Sequence, residues 1–553
     1  MRKHRYVLLT FFFLLAVIAV KLFYLQVLNP NSKINNNYLK YQRLSAERGK
    51  IYDSEGEPFV LNTRKFLVFA EPKKIKDRDY TLHKLDDILK LGEATISARV
   101  DPDLQWVAVD REIDPIKKKN IEKLNLQGIG FQDEYVRYYP EASLAAHLTG
   151  FVGKNDSGEN LGYFGLEGFY DKDLSGLPGI LKTERDLLGR AIFVGTQEKI
   201  ESENGRDLYL TIDKSIQHMV KRVLLAGIDR YKAKEGCIIV ANPKTMEIVA
   251  LSCLPDFDVE KYYKFSEEYF KDPAISSVYE PGSTFKPLII AAALNEKKIK
   301  PLDTFNEGGS VTVGGYTIKT WNDKYEGKIS ITRILEKSSN VGMVWVGQKL
   351  GDKKLYQYIQ DYGFGNLTAI DLQGEIEGNV KARRDMYPID YATSTFGQGI
   401  AVTPIQLIRA FSSLVNGGNL MRPYVVKKIV SGGQEKIIQP HIDKKVITEQ
   451  TSEIIKKMLE STVLNSEAKW DKPEGYRIGG KTGTAQIPIK GHYDSSRTIA
   501  SFIGFAPVSD PRFIALVILK EPGTSIYGSE TAAPLFFDVA RQLLVYYNIP
   551  PER

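Results

Sequence analysis

A long apolar run near the N-terminus constrains this chain more than any other feature. The run covers residues 6–28 and is interrupted only by Thr10, Lys21 and Gln26. About 20 apolar residues form a helix long enough to cross a bilayer, and a lysine near one end can reach the head groups. A cleaved signal peptide is the alternative, but no small-x-small cleavage site follows the run. The sequence therefore predicts an uncleaved membrane-spanning helix.

The charges beside this run predict its orientation. Residues 1–5 contain the basic side chains of Arg2, Lys3 and Arg5. Because basic residues are enriched on the cytoplasmic side of a membrane span, we expect a cytoplasmic tail at residues 1–5 and an exported remainder. ATP is not supplied outside the cell, so a group transfer that needs no external energy is the favoured kind of reaction.

Charge and metal-binding residue types argue against several classes of function. The formal net charge of +7 is spread along 553 residues and gives no reason to expect nucleic acid as a partner. The six histidines form no His-Glu-x-x-His pattern, and we predict neither a metal centre nor a cofactor. The two cysteines, Cys237 and Cys253, fall opposite each other on a predicted β-hairpin, which leaves a disulfide bond possible.

Residues 29–205 are predicted to form a separate interaction module without a nucleophile-and-base pair. Two segments alternate like strands and two resemble charged helices: residues 66–70, 105–109, 86–91 and 115–124. Three charged residues could be functional, although surface charge is the default interpretation: Arg48, Asp53 and Glu167. The glycine- and acid-rich residues 197–206 mark the end of this region.

Residues 206–553 have the pattern of an α+β domain. A strand at residues 207–212 precedes a helix capped by Asp213, and the hairpin with the two cysteines follows. Later elements comprise three strands and two helices: residues 477–487, 498–506 and 512–520, and residues 405–415 and about 530–547. This order indicates an antiparallel sheet sandwiched by helices.

A serine and a lysine in this domain form a candidate nucleophile and base. Ser283 lies three residues before Lys286, and an apolar run at residues 288–294 follows, so we expect Ser283 to begin a buried helix. The spacing places both side chains on one helical face, and a lysine out of water can lose its proton and activate a serine. The pattern alone is weak, because Ser466 and Lys469 also fit it in a polar stretch.

Two later motifs complete a possible site. Ser338 and Asn340 follow a helical stretch, and residues 479–485 read Gly-Gly-Lys-Thr-Gly-Thr-Ala inside a strand pattern. Glycine in a strand often marks the close approach of a ligand or another backbone, so a peptide could add to this edge as an extra strand. Its terminal carboxylate would then face three side chains: Lys481, Thr482 and Thr484.

The order Ser-x-x-Lys, Ser-x-Asn and Lys-Thr-Gly is the signature of penicillin-binding proteins and related β-lactamases. With further motifs, the chain resembles the class B penicillin-binding proteins nearly end to end. Those motifs are residues 48–53, 137–140, 165–168, 396–399, 403–407 and 502–507. Residues 338–343, which read Ser-Ser-Asn-Val-Gly-Met, and residues 168–179 are more similar to the cell-division (FtsI-like) branch.

The resemblance implies a five-stranded antiparallel sheet sandwiched by helices, carried on an elongated N-terminal pedestal. We expect a membrane anchor at residues 6–28, a dimerisation-like pedestal at 29–205 and a transpeptidase domain at 206–553. The implied activity is a peptidoglycan D,D-transpeptidase that joins stem peptides and releases D-Ala from D-Ala-D-Ala donors. A D-Ala-D-Ala carboxypeptidase side activity is also implied.

The resemblance also assigns roles to the motif residues. Ser283 is implied to be the nucleophile, Lys286 its base and Ser338 a proton relay, while Asn340 holds the donor amide. The implied substrate-binding group, which holds the donor carboxylate, is Lys481, Thr482, Gly483 and Thr484. The backbone N–H groups of Ser283 and Thr484 are implied to form the oxyanion hole.

The same resemblance implies partners and leaves rivals open. β-Lactams are expected to acylate Ser283, and an FtsW-like glycosyltransferase and other division proteins are expected partners at the septum. The alternatives are an elongation-type transpeptidase, a β-lactamase, and a non-catalytic β-lactam-binding scaffold or sensor.

Overall fold

The computed structural model describes residues 2–24, 39–156, 158–184, 197–320, 324–466, 471–489 and 492–552. The chain divides into two compact units. The first comprises Met1–Ala46 and Leu177–Asn204, and the second comprises Glu47–Gly176 and Gly205–Arg553. Leu177–Asn204, directly before the predicted boundary near residue 205, thus belong to the first unit, whereas Glu47–Gly176 of the predicted pedestal belong to the second.

The first 200 residues form seven helices and nine strands within their described part. In chain order these are α1 (Arg2–Phe23), β1 (Leu39–Leu44), β2 (Ile51–Tyr52), β3 (Pro58–Ala70), α2 (Arg78–Leu89), α3 (Glu93–Arg99), β4 (Val107–Ile113), α4 (Pro115–Glu122), β5 (Ile129–Tyr138), α5 (Ala146–Thr149), β6 (Phe151–Lys154), β7 (Asn160–Tyr163), α6 (Gly165–Phe169), α7 (Asp171–Leu174), β8 (Gly179–Glu184) and β9 (Gln197–Ile200).

The first unit contains the apolar helix and a small sheet. Within α1, Arg5–Phe23 is long and apolar enough to cross a membrane, and its large apolar side chains are exposed. This confirms the predicted apolar helix, whereas residues 25–28 of the predicted span lie outside the described residues. Strands β1, β8 and β9 pair antiparallel in that order.

The rest of the chain forms the remaining elements. In chain order these are β10 (Asp207–Leu210), α8 (Lys214–Tyr231), β11 (Glu235–Ala241), β12 (Ile248–Leu254), α9 (Pro273–Ser276), α10 (Lys286–Asn295), β13 (Thr304–Glu307), β14 (Ser310–Val313), β15 (Tyr316–Lys319), β16 (Gly327–Ser330), α11 (Ile331–Glu336), α12 (Asn340–Leu350), α13 (Asp352–Asp361), α14 (Pro388–Ser394), α15 (Pro404–Ser412), β17 (Asn419–Met421), β18 (Val426–Ser431), β19 (Gln434–Ile437), β20 (Ile442–Lys445), α16 (Glu449–Leu464), β21 (Gly479–Ile489), β22 (His492–Ala506), β23 (Phe513–Lys520) and α17 (Ala532–Tyr546).

A five-stranded antiparallel sheet organises the C-terminal part of the second unit. Its order is β12-β11-β23-β22-β21. Along β23, Val517 and Leu519 pack into one apolar core with α8 and α17, while Leu516 and Ile518 pack into another with α10 and α15. Because successive strand residues face opposite sides, one sheet is covered by helices on both faces. This confirms the predicted α+β fold.

A second sheet contains strands from both sides of the predicted domain boundary. Its path is β19-β18-β10-β2-β3-β4, and β5 pairs with β3. Strand β10 pairs in parallel with β2 and antiparallel with β18. The pedestal strands and the strands that follow residue 206 therefore share backbone hydrogen bonds.

The interpretation of three pedestal residues as surface charge is wrong, because the structure buries them. Glu167 is fully buried and forms ion pairs with Arg48 (2.6 Å) and Arg137 (2.7 Å). Buried Asp53 accepts hydrogen bonds from the backbone of the turn that follows it. The two carboxylates can be buried because each accepts hydrogen bonds. Glu167 accepts them from distant guanidinium groups, and Asp53 accepts them from neighbouring backbone N–H groups.

The predicted hairpin and helix caps are present. Cys237 and Cys253 lie directly opposite each other on β11 and β12, and a disulfide bond joins their sulfur atoms. The side chain of Asp213 accepts a hydrogen bond from the Ile216 N–H at the start of α8. Thr403 caps α15 in the same way, so these two helices begin where the sequence indicates.

Candidate active site

Ser283 lies in a short 3-10 turn, Gly282–Phe285, that leads directly into α10. The sequence predicted Ser283 at the start of the helix, and the structure places it one turn earlier. Gly282 has a φ of +53° and donates its N–H to the Gly397 carbonyl. Residues from Lys286 to Leu294 are all buried. The candidate nucleophile therefore lies in the turn that directly precedes the N-terminus of a buried helix.

Ser338 brings a second hydroxyl to Ser283. The two Oγ atoms are 2.8 Å apart, with Ser338 donating. Ser338 lies between α11 and α12 and has a φ of +56°, in the left-handed region that non-glycine residues rarely adopt. Such a conformation persists where surrounding contacts enforce it, and it is common at functional sites.

Lys286 lies behind these two hydroxyls and is fully buried. Its Nζ donates to the Ser338 carbonyl (2.6 Å), to Ser338 Oγ (3.1 Å) and to Asn340 Oδ1 (2.8 Å). The Ser338 hydroxyl is thus within hydrogen-bonding distance of both the candidate nucleophile and the candidate base. The structure brings together the four motif residues Ser283, Lys286, Ser338 and Asn340.

A second buried lysine lies on the edge strand β21. Lys481 is 2% exposed, and its Nζ is 3.2 Å from the Thr482 carbonyl and 3.3 Å from Thr482 Oγ1. Burial lowers the pKa of Lys481 to about 7. Burial also lowers the pKa of Lys286 well below its usual value, and the charge of Lys481 lowers it further, while Glu307 acts in the opposite direction.

Strand β21 passes close to the serine turn. It is the outer strand of the five-stranded sheet and pairs there with β22. A Cβ at Gly483 would lie 2.4 Å from Ser501 Oγ and 2.9 Å from Thr284 Cγ2, so only glycine fits without displacement. Thr484 Oγ1 accepts a hydrogen bond from the Gly528 N–H (3.0 Å), which leaves its own hydroxyl hydrogen free to be directed elsewhere.

The comparisons with known families decide the membership of the chain. The penicillin binding protein transpeptidase domain matches residues 236–541, and the penicillin-binding protein dimerisation domain matches residues 43–210. The chain belongs to the class B penicillin-binding proteins. This membership confirms the predicted family and makes the chain a serine-type transpeptidase.

Similar penicillin-binding proteins cover nearly the whole chain. Stage V sporulation protein D of Bacillus subtilis (strain 168) is 35% identical over 92% of this chain and 79% of the relative. Peptidoglycan D,D-transpeptidase FtsI of Escherichia coli (strain K12) is 29% identical over 99% of this chain and 91% of the relative. A peptidoglycan synthetase from Bifidobacterium adolescentis has 27% identity and a TM-score of 0.77, with 93% of this chain and 98% of that chain covered.

Of the rival tetrad, Ser466 follows α16, and Lys469 lies outside the described residues.

A contact beside the site of this penicillin-binding protein was not predicted from the sequence motifs. Buried Glu307 accepts a hydrogen bond from Ser339, the middle residue of the Ser-x-Asn motif. In the sequence, only the place of Ser339 inside the Ser-x-Asn motif pointed to this contact, since the residues around Glu307 do not indicate that it is buried.

Proposed function

We propose that this protein is a peptidoglycan D,D-transpeptidase whose nucleophile is Ser283. The observation that carries the proposal is the shared hydroxyl of Ser338, which contacts Ser283 Oγ and Lys286 Nζ at 2.8 and 3.1 Å. A neutral Lys286 accepts a proton through Ser338 while Ser283 Oγ forms a bond to the penultimate D-Ala carbonyl carbon. The low pKa of Lys286, caused mainly by burial, supplies the neutral amine.

Collapse of the tetrahedral intermediate completes acylation. The C–N bond to the terminal D-Ala breaks, and the proton held at Lys286 returns through Ser338 to the leaving nitrogen. An amine from a second stem peptide then attacks the ester carbonyl, loses its proton to the same relay and releases Ser283. Water in place of the amine gives the carboxypeptidase side reaction. The ester conserves the energy of the broken amide, so no ATP is needed.

The remaining motif residues bind the donor. We assign its carboxylate to the edge of β21, where Lys481 supplies a charge and Thr482 and Thr484 supply hydroxyls. Gly483 allows the close backbone packing at this edge. The N–H groups of Ser283 and Thr484 are the proposed oxyanion hole, and Asn340 holds the donor amide. A β-lactam that mimics the donor would leave Ser283 acylated.

A labelling experiment tests the nucleophile. Purified full-length protein in detergent is incubated with a fluorescent penicillin and separated on a denaturing gel. We expect the wild type to be labelled and Ser283→Ala to lose the label entirely. Ser466→Ala is the matched control and should be labelled like the wild type. Persistent labelling of Ser283→Ala, or loss of labelling in Ser466→Ala, would move the nucleophile elsewhere. Rapid release of the label with product turnover would instead support a β-lactamase.

We further propose the domain division and cellular setting. Residues 1–5 remain in the cytoplasm, residues 6–28 anchor the chain, residues 29–205 form the pedestal and residues 206–553 catalyse the reaction outside the membrane. The resemblance to the FtsI-like branch favours septal synthesis with an FtsW-like partner. The relative named for stage V of sporulation supports a second setting, a role in sporulation. Septal, lateral or spore-associated fluorescence of a tagged full-length protein distinguishes these settings from an elongation role.

A further inference from the structure

A buried carboxylate lies behind the loop that carries Ser338 and Asn340. Glu307, at the end of β13, is 6% exposed. Its Oε1 accepts a hydrogen bond from Ser339 Oγ and another from Thr320 Oγ1 at 3.3 Å. Burying a carboxylate costs free energy unless hydrogen-bond donors compensate it, and the hydroxyls of Ser339 and Thr320 are such donors for Glu307. The mechanism above uses none of these three side chains.

Ser339 connects Glu307 to the catalytic loop. Its side chain is fully buried, and its Oγ accepts the Gly342 N–H at 2.9 Å, which caps α12. Ser339 therefore fixes the start of this helix on one side and bonds to Glu307 on the other. The preceding residue, Ser338, is in the left-handed conformation that points its carbonyl and hydroxyl at Lys286. That conformation needs an external restraint, and Ser339 provides one.

Thr320 connects Glu307 to the end of strand β15, to which the Asn340 side chain bonds. Thr320 is buried and directly follows β15. The carbonyl of Lys319, the last residue of that strand, accepts a hydrogen bond from Asn340 Nδ2 at 3.3 Å. Glu307 thus holds both the loop on which Asn340 lies and the strand end to which the Asn340 amide bonds.

Glu307 also supplies a negative charge that acts on buried Lys286. The ionisable groups that act on Lys286 are Lys481, from β21, and Glu307, from β13. Lys286 and Lys481 are both almost fully buried, and the charge of Glu307 offsets part of the effect of Lys481 on Lys286. The negative charge of Glu307 favours the protonated form of Lys286 and raises the pKa of Lys286, whereas burial and the charge of Lys481 lower that pKa.

We propose that Glu307 is a positioning residue for the transpeptidase reaction: through Ser339 and Thr320 it fixes the loop of Ser338 and Asn340, and its charge offsets the effect of Lys481 on Lys286. This inference rests on the proposed function. Glu307 acts through Ser339 and does not touch the reacting atoms, so it is not itself a catalytic residue.

The test is the pH dependence of acylation in the full-length protein. The second-order rate constant for a fluorescent penicillin is measured from acid to alkaline pH for the wild type and Glu307→Gln. Glutamine keeps an acceptor oxygen for Ser339 but removes the charge. Without that charge the pKa of Lys286 falls, so the acid limb of the profile should move to lower pH than in the wild type. A superimposable acid limb would overturn the charge-balancing role.

Three variants that keep a negative charge at position 307 separate positioning from electrostatics. Ser339→Ala removes the link to the loop, and the rate should fall about tenfold at every pH without movement of the acid limb. A wild-type rate in Ser339→Ala would overturn the positioning role. Thr320→Val removes the second hydrogen bond to Glu307 and the 3.4 Å contact of Thr320 Oγ1 with Ser339 Oγ, and Glu307→Asp restores the charge. Both variants should keep the acid limb of the wild type, and a shift like that of Glu307→Gln in either would contradict the proposal.

The outcomes remain separable from those of the proposed function. If the wild type is labelled and Ser283→Ala is not, the proposed function stands whatever the Glu307 variants do. If Glu307→Gln fails to fold, as judged by circular dichroism, Ser339→Ala still decides the positioning role and Glu307→Asp the charge requirement. If the wild type itself is not acylated, the proposed function is overturned, and with it the role of Glu307 that rests on it.

Discussion

At the scale of single residues, the proposed mechanism needs two buried lysines in opposite protonation states. In that mechanism Lys286 is neutral, so that it accepts a proton from Ser283 through Ser338, and Lys481 is charged, so that it binds the donor carboxylate. Burial lowers the pKa of both side chains, and the charge of Lys481 also lowers the pKa of Lys286. This additional effect favours the neutral form of Lys286 while Lys481 keeps its charge.

We predict a bell-shaped pH profile of acylation whose alkaline limb belongs to Lys481. The pKa of Lys481 is about 7, so its charge and the reaction rate should fall as the pH rises through that value. Lys481→Arg keeps a permanent charge. The variant should lose about tenfold in rate at the optimum, because the donor carboxylate is held differently, and its alkaline limb should disappear. Stopped-flow or timed-gel measurement of penicillin acylation against pH checks this.

A buried lysine outside the site provides the matched control. Lys456 on α16 is 5% exposed and forms an ion pair with Glu453. Lys456→Arg should leave both limbs of the profile in place. An alkaline limb that persists unchanged in Lys481→Arg would assign that titration to another group and contradict the role of Lys481.

At the scale of elements, local sequence signals were sufficient where one short stretch determines the structure. Asp213 and Thr403 cap the helices that the sequence places after them, because an N-cap depends on one side chain and the next three residues. The order of strands and helices indicated an antiparallel sheet sandwiched by helices, whereas its five strands were implied by the resemblance to the class B penicillin-binding proteins. The motif around Ser283 predicted the helix but not the 3-10 turn before it, since both conformations suit the same residues.

Contacts between distant elements were not predictable in this way. Glu307 and Ser339 are 32 residues apart, and Arg48 and Glu167 are 119 residues apart. The neighbouring sequence does not distinguish a buried charged residue from an exposed one, because a distant partner determines the free-energy cost of burying the charge. The motifs led us to expect Ser283, Lys286, Ser338 and Asn340 in one site, and the structure brings these four together. The sequence gave no sign of the carboxylate behind Ser339 or of the buried pedestal ion pairs.

At the scale of the whole molecule, the pedestal segments of the second unit are built into the same sheet as the strands after residue 206. Arg48 lies just before β2, which pairs in parallel with β10. Its guanidinium group bonds to Glu167 on α6 and to Asp171 (2.8 Å), while Arg137 from β5 bonds to the same Glu167. One buried carboxylate thus connects three pedestal elements next to the shared sheet, and we infer that pedestal and catalytic parts of this unit unfold together.

This inference predicts that a change far from Ser283 lowers the heat resistance of penicillin binding. Glu167→Ala leaves two guanidinium groups without their buried partner, which costs about 3–5 kcal/mol and corresponds to about 3–5 °C in the unfolding midpoint for a chain of this size. The midpoint is measured as loss of acylation after heating the full-length protein, with the rate at low temperature unchanged. Asp133→Ala, which breaks an exposed ion pair with Arg64 in the same sheet, is the control and should leave the midpoint in place. Equal midpoints for Glu167→Ala and the wild type would show that the catalytic part is stable without the pedestal ion pairs.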